Sequence, residues 1–287
     1  MSQVVAVVTD TCACLPPPMA ADLGVEVVPY YIHRSQETLR DLVDVQPDEF
    51  YRWLPQAAEL PKTANPGPGD YIRAFQNVRG RGLRQATVIC MTSKGSGAYQ
   101  SACVAKEMAA QELPEMTVDV IDTLRVSMAH GWAVIEAARV AQAGASQAEV
   151  RAAADGVASK AVMIQTADTL RYLYMGGRIG RAQHLVGSLL RIKPLIGMED
   201  GIITPLGTAR SRGQAYARMV ELIAEQVGPG GRIKVAYMHA AALADAEKLR
   251  RLVEARLTCV ETIVTQLNPA LGVHTGPGMV GLAYYPV

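Results

Sequence analysis

The stretch ATVICMTSKGSGAYQSACVAKEMAAQ, residues 86–111, decides the fold class. Ala86 to Met91 is a short apolar run rich in β-branched residues. It reads as a strand buried on both faces. Thr92 to Gly97 is a loop of hydroxyls and glycines, and a helix follows from about Ala98 to Gln111. Strand, polar loop and helix form one unit of a β-α alternation, and the same grammar runs outward in both directions. Upstream, Val4 to Val8 is a strand ending at Thr9-Asp10-Thr11. Met19 to Leu23 is a short helix closed by Gly24, Val25 to Ile32 a second strand, and Pro47 to Leu54 a helix. Residues 61–69, PKTANPGPG, hold three Pro and two Gly and read as loop. Asp70 then opens a helix with Tyr71, Ala74, Phe75 and Val78 on one face. Downstream, Val118 to Ile121 is a strand, followed by helices from Val126 to Ala143 and from Gln147 to Lys160. Such alternation predicts a mostly parallel sheet with helices on both faces.

After about residue 160 the pattern changes. Val162 to Ile164 is a strand, and Leu170 to Arg181 a loop or short helix around Gly176-Gly177. Ile192 to Pro205 carries Asp200-Gly201 between apolar runs, a hairpin signature. A helix presents Tyr216, Met219, Val220, Ile223 and Val227 on one face and stops at Gly228. Ile233 to Tyr237, Val260 to Leu267 and Gly281 to Val287 are strands, and Ala242, Ala246, Leu249 and Val253 mark a helix between the first two. The expectation is an α/β chain of two domains. Residues 1–158 form the parallel-sheet domain and residues 159–287 a mixed-sheet α/β domain, with a ligand in the cleft between them.

Composition narrows the function. Hydrophobic residues are 49% and charged residues 19%, so the chain fills a substantial core and is not a disordered segment. Lys and Arg number 28 against 27 Asp and Glu, and aromatics are 5%. Neither a basic stripe nor a stacking platform is available, which argues against nucleic acid as a partner. No apolar run reaches the length of a membrane span. The chain opens on a strand pattern rather than a basic and apolar leader, so a cytoplasmic protein is expected. The five cysteines form neither a disulfide framework nor a zinc knuckle. Cys12 and Cys14, flanking Ala13, are the pair to test for redox chemistry.

Gly276-Pro277-Gly278-Met279-Val280-Gly281 matches GxGxxG, but six residues after it cannot build the βαβ unit that a dinucleotide needs. No P-loop and no GxSxG elbow occurs. The hydroxyls of Thr9, Thr11, Thr63, Thr92, Ser93, Ser96 and Thr123 lie at the carboxyl ends of strands or in the Pro/Gly loop. Ligands bind at that edge of open α/β sheets, and hydroxyls with backbone amides can hold an anion. Ser96 also suits a helix cap. His274 stands in a His-Thr-Gly-Pro-Gly turn between two strands, with no Asp or Glu within ten residues to support a metal site. Its charge is expected to change between pH 5 and 8. Arg171, Arg178 and Arg181 surround Gly176-Gly177, either as a solvated loop or as an anion-recognising cluster.

The ordered set of motifs resembles the DegV family of bacterial fatty-acid-binding proteins. Val7-Val8-Thr9-Asp10-Thr11 with Leu15-Pro16 is similar to its opening "DS…LP". Thr63-Ala64-Asn65-Pro66-Gly67 is similar to "TSQPS", and residues 92–102 to "SS-x-LSGTYQSA". Val120 to Thr123, Leu170 to Leu173 with Gly176 to Ile179, Ile192-Lys193-Pro194 and His274 to Gly278 complete the series. Ala64 and Gly67 stand where the family has serines, and Gly95 where it has leucine. The resemblance implies a fatty acid buried between two domains, its carboxylate held by Thr63 and Ser93 with His274 nearby and with Ser96, Gly95 and Thr11 around it. It implies a carrier without catalytic residues, metal or cofactor, which presents the acid to a separate ATP-dependent fatty acid kinase for acyl phosphate formation. Membrane contact would be at most transient. Arg171, Arg178 and Arg181 are expected on the surface facing the kinase or its phosphate. Two other readings stay open: a Ser/His-dependent lipid hydrolase using Ser93 and His274, and a binder of another small amphipathic carboxylate.

Overall fold

The computed structural model describes residues 3–188, 192–228 and 230–287. Its first half is built on strands β1 (Val5–Asp10), β2 (Glu26–Val28), β3 (Tyr31–Arg34), β4 (Glu37–Arg40), β5 (Lys62–Ala64), β6 (Gln85–Cys90) and β7 (Thr117–Asp122). The helices are α1 (Pro17–Asp22), α2 (Pro47–Trp53), α3 (Pro68–Gly80), α4 (Ala98–Glu112), α5 (Ser127–Gln142) and α6 (Gln147–Lys160). A parallel sheet runs in the order β2-β1-β6-β7. Successive side chains of β1 face opposite ways. Ala6 and Val8 pack with Tyr71, Phe75 and Ala102 of α3 and α4, while Val5 and Val7 pack with Trp132 of α5. Both faces are covered, which is why the central strands β1 and β6 read as apolar runs.

Val25 to Ile32, expected as one strand, is two. Pro29 has no N–H to give a ladder, so β2 ends at Val28 and β3 begins at Tyr31 in a different, antiparallel sheet of order β4-β3-β5. The loop expected at 61–69 likewise contains β5, whose Thr63 pairs with Ile32. Three residues between prolines carry no readable period, so this strand exists through its partner.

The second half comprises β8 (Val162–Thr166), α7 (Arg171–Met175), β9 (Lys193–Glu199), β10 (Ile202–Ala209), α8 (Arg212–Val227), β11 (Arg232–His239), α9 (Leu243–Glu254), β12 (Thr258–Gln266), α10 (Pro269–Thr275) and β13 (Val280–Pro286). Six strands form a mixed sheet of order β10-β9-β8-β13-β11-β12, in which only the β11–β12 pair is parallel. The β9–β10 turn has Asp200 at φ 50° and Gly201 at φ 77°. Two positive φ values are what a two-residue hairpin of the favoured hand requires.

Helices α8 and α9 cover the outer face of this sheet through Tyr216, Met219, Ile223 and Leu249. Its inner face meets α5. Trp132 donates from Nε1 to the Ala283 carbonyl at 3.1 Å and stands edge-on to Tyr285 at 5.6 Å. Helix α5 is therefore buried between the two sheets. One apolar cluster runs from Val5 and Val7 through Trp132 to Met163, Met238 and Ala283. Among the described residues no helix is long and apolar enough to cross a membrane.

Candidate functional site

A cavity of about 480 Å³ lies between the two halves, within the roughly 300–1,000 Å³ usual for small-molecule sites. Its apolar walls include Met91 and Val126 from the first half and Met163, Leu173, Met198 and Ile203 from the second. Its polar lining includes Thr63, Asn65, Ser96, Arg178 and His274.

Each polar group is placed by its element. Pairing with Ile32 fixes Thr63. His274 is not in an open turn. It sits in the last turn of α10, which Gly276 ends at φ 70°. A Cβ at Gly276 would lie 2.2 Å from the Tyr172 ring, so the chain approaches too closely there for any other residue. Thr63 Oγ1 and His274 Nε2 meet at 2.8 Å across 211 positions of sequence. Ser96 Oγ accepts from the Ala98 amide at 3.3 Å and shares a 2.5 Å hydrogen bond with the Tyr30 hydroxyl. The N-cap of α4 is Gly97 rather than Ser96, which lies one residue before it and lines the cavity. Asn65 Nδ2 donates to Ser101 Oγ at 3.1 Å and to the Pro66 carbonyl at 2.8 Å, tying the β5 loop to α4. The hairpin tip docks on the facing loop, where Thr92 Oγ1 donates to the Gly201 carbonyl at 3.0 Å.

The remaining expected residues are scattered. Gly95 lines the cavity. Ser93 does not; its amide is tied to Asp122 Oδ1 at 3.1 Å. Thr11 is buried behind the site, where its hydroxyl accepts from the Tyr30 amide at 3.2 Å. Of the three arginines, Arg178 lines the cavity and donates to the carbonyls of Gly176 at 2.8 Å and Gly95 at 3.4 Å. Arg181 pairs with Glu199 at 3.0 Å on the surface, and Arg171 is exposed at the start of α7. Tyr30, Asn65 and Gln165 line the cavity without having been singled out from sequence. Tyr30 follows a proline inside an apolar run and carried no local signal, whereas Asn65 lies in the TANP segment between Thr63 and Pro66.

Electrostatics favour neutral groups here. Burial, reinforced by the charge of Arg178, lowers the His274 imidazole to about 4. It is therefore neutral across pH 5–8, contrary to the expectation for a histidine in an open turn. Nδ1 is buried with no hydrogen-bond partner among the described residues. Burial also pushes the Cys14 thiol up to about 12 and raises Cys12 well above its ordinary value. Both stay protonated, and the thiolate needed for exchange chemistry is suppressed. Among the described residues no group of three or more His, Cys, Asp or Glu is placed to hold a metal ion.

The lowered His274 value carries a test. The folded value of about 4 lies below the unfolded 6.5. Neutral burial then contributes stability above pH 6.5 that is lost as pH falls through 4. Between those pH values His274→Gln should lose less stability than the wild type in urea unfolding. Parallel stability–pH curves for the two proteins would show that the imidazole does not titrate there.

The DegV family model matches residues 4–287. A DegV domain-containing protein of Halalkalibacterium halodurans is 33% identical over 281 residues, covering 98% of each chain. Among solved structures, a fatty-acid-binding DegV family protein from Thermus thermophilus superposes with a TM-score of 0.91 at 29% identity, covering 99% of both chains. DegV of Bacillus subtilis, a fatty acid binding protein, does so with a TM-score of 0.85 at 25% identity over 100% of both.

Proposed function

The chain belongs to the DegV family, and from that premise we propose that it binds a long-chain fatty acid in the cavity and presents the carboxylate to a separate ATP-dependent fatty acid kinase. The observation that carries this reading is the join of Thr63, Ser96 and His274, drawn from three distant segments, at one apolar cavity. Burying about ten methylenes contributes on the order of 8 kcal/mol. The carboxylate must in turn be hydrogen-bonded to stay ionised. If Nε2 of the neutral His274 carries the proton, it donates to Thr63 Oγ1, and the Thr63 hydroxyl proton is free to point at the ligand. The other tautomer would consume that proton. An anion in the cavity therefore selects the Nε2–H form.

The relatives' fatty acid binding supports the ligand class, and Arg178 at the cavity suits the charge that grows as a carboxylate becomes an acyl phosphate. A carrier needs no nucleophile. The hydrolase alternative loses ground because His274 Nε2 faces Thr63 rather than a serine.

The reading predicts that a fatty acid is released when the purified protein is denatured for mass spectrometry, and that the loaded protein yields acyl phosphate only with kinase and ATP. Ser96→Ala and Thr63→Val should each weaken binding by about 1–3 kcal/mol, the cost of an unmatched buried polar group. Ser93→Ala should stay within about 0.5 kcal/mol, as for a substitution away from the ligand. The reverse ranking of the two serines would move the carboxylate to the other end of the loop. Cleavage of a lipid ester by the protein alone would return the hydrolase.

A further inference from the structure

Gln165 is 5% exposed and lines the cavity from β8, as Met163 does two residues earlier. Its carboxamide has no hydrogen-bond partner among the described residues. On the adjacent strand β13 it pairs with Gly281, and Gly281 pairs on its other side with Met238 of β11. Gln165, Gly281 and Met238 thus form one row across three strands. A Cβ at Gly281 would lie 2.6 Å from Gln165 Cβ. Only glycine fits there, because Gln165 and the β8 backbone already fill the space that a side chain would take.

At the far end of that row, Ser127 Oγ donates to Met238 Sδ at 2.7 Å. Ser127 is 3% exposed, lines the same cavity and holds a φ of 57°. A thioether is a weak acceptor, and the Cys14 thiol, which also contacts this hydroxyl, gives its proton to Asn268 Oδ1, so the serine oxygen can still accept. Two under-used hydrogen-bonding groups therefore border the cavity on elements separate from β5, α10 and the Ser96 loop. A plain methylene chain would leave the carboxamide unmatched, which buried polar groups rarely are.

We propose that the cavity is built for a fatty acid bearing a hydroxyl group along its chain, held by the Gln165 carboxamide and the Ser127 hydroxyl. The inference rests on the fatty-acid-binding reading and names the class of acid. A hydroxyl donates and accepts at once, matching a carboxamide that offers both and a serine oxygen that accepts. The methylenes on either side pack on Met163, Val126 and Met198.

The test uses the full-length protein stripped of lipid, titrated with stearic acid and with positional isomers of mid-chain hydroxystearic acid. At least one isomer should bind at least about tenfold more tightly than stearic acid, because a site with committed buried polar groups discriminates against the ligand that lacks their partner. Gln165→Leu and the milder Gln165→Met should bring the ratio of hydroxystearic to stearic acid affinity down to about one. Equal affinity of the wild type for stearic acid and every isomer would overturn the inference and leave fatty acid binding standing, with water satisfying Gln165. That comparison needs no variant to fold. A preference that survives both substitutions would overturn the assignment to Gln165. Binding of none of these acids would remove the fatty-acid reading itself, and this inference with it.

Discussion

Replacing Asn268 by alanine should lower folding stability by about 3–5 kcal/mol, the cost of stripping a partner from a buried charged group. Asp41 is 0% exposed. Asn268 Nδ2 donates to its Oδ2, and the Ala270 amide donates to its Oδ1 at 3.2 Å. Asn268 Oδ1 in turn accepts from Cys14 Sγ at 2.9 Å. This small network pins the start of α10, which lies late in the sequence, onto the first half of the chain. Burial raises the Asp41 carboxyl to about 6, and the hydrogen bonds from Thr11, Asn268 and Ala270 pull against that rise. A folded value above the unfolded 3.8 means that this group's contribution is fully present below pH 3.8 and is lost as pH rises through 6. Without the amide the carboxyl is held still higher, so the loss extends further. The deficit of Asn268→Ala should therefore be larger at pH 8 than at pH 5 in urea unfolding. A deficit under about 1 kcal/mol, the scale of an ordinary surface hydrogen bond, would mean that the network does not anchor the helix.

Leu271→Trp should reduce stearic acid affinity by more than about a hundredfold, since displacing four or so buried methylenes forfeits roughly 3 kcal/mol. Leu271 lines the cavity from α10 and is only partly buried. The indole therefore has open volume to enter instead of packed core to force apart. Overpacking costs stability where neighbours cannot yield; here the melting temperature should stay within about 5 °C, equivalent to roughly 1–2 kcal/mol at this chain length. Isothermal titration and a thermal melt on one preparation read both quantities. Wild-type affinity with tryptophan in place would put the acyl chain somewhere other than this cavity.

Legibility tracked how local the cause of each feature was. Strands β1 and β6 were readable because burial on both faces leaves an apolar run within six residues. The Asp200-Gly201 hairpin was readable because positive φ at two adjacent residues restricts which side chains can stand there. The face of α8 was readable because Tyr216, Met219, Val220 and Ile223 recur at the helical period, and all four are buried. Pro29 was a local signal too, and it is the residue that divides β2 from β3.

The site is a different kind of object. The hydroxyls and the histidine could be picked out by residue type, together with the sheet edge on which ligands sit. Which of them meet could not. Ser93 and Ser96 lie three residues apart in one loop, and which of them lines the cavity follows from where Asp122 holds the Ser93 amide and where Tyr30 reaches Ser96. His274 is neutral because burial strips water from it, and no neighbour in sequence reports that burial. Thr63 and His274 touch because a three-residue strand pairs with β3 while Asn268 locks α10 to Asp41. Period, turn chemistry and composition act over a few residues and are written into the chain directly. A hydrogen bond spanning 211 residues depends on the packing of everything between its ends, and exists only once both sheets have closed on α5.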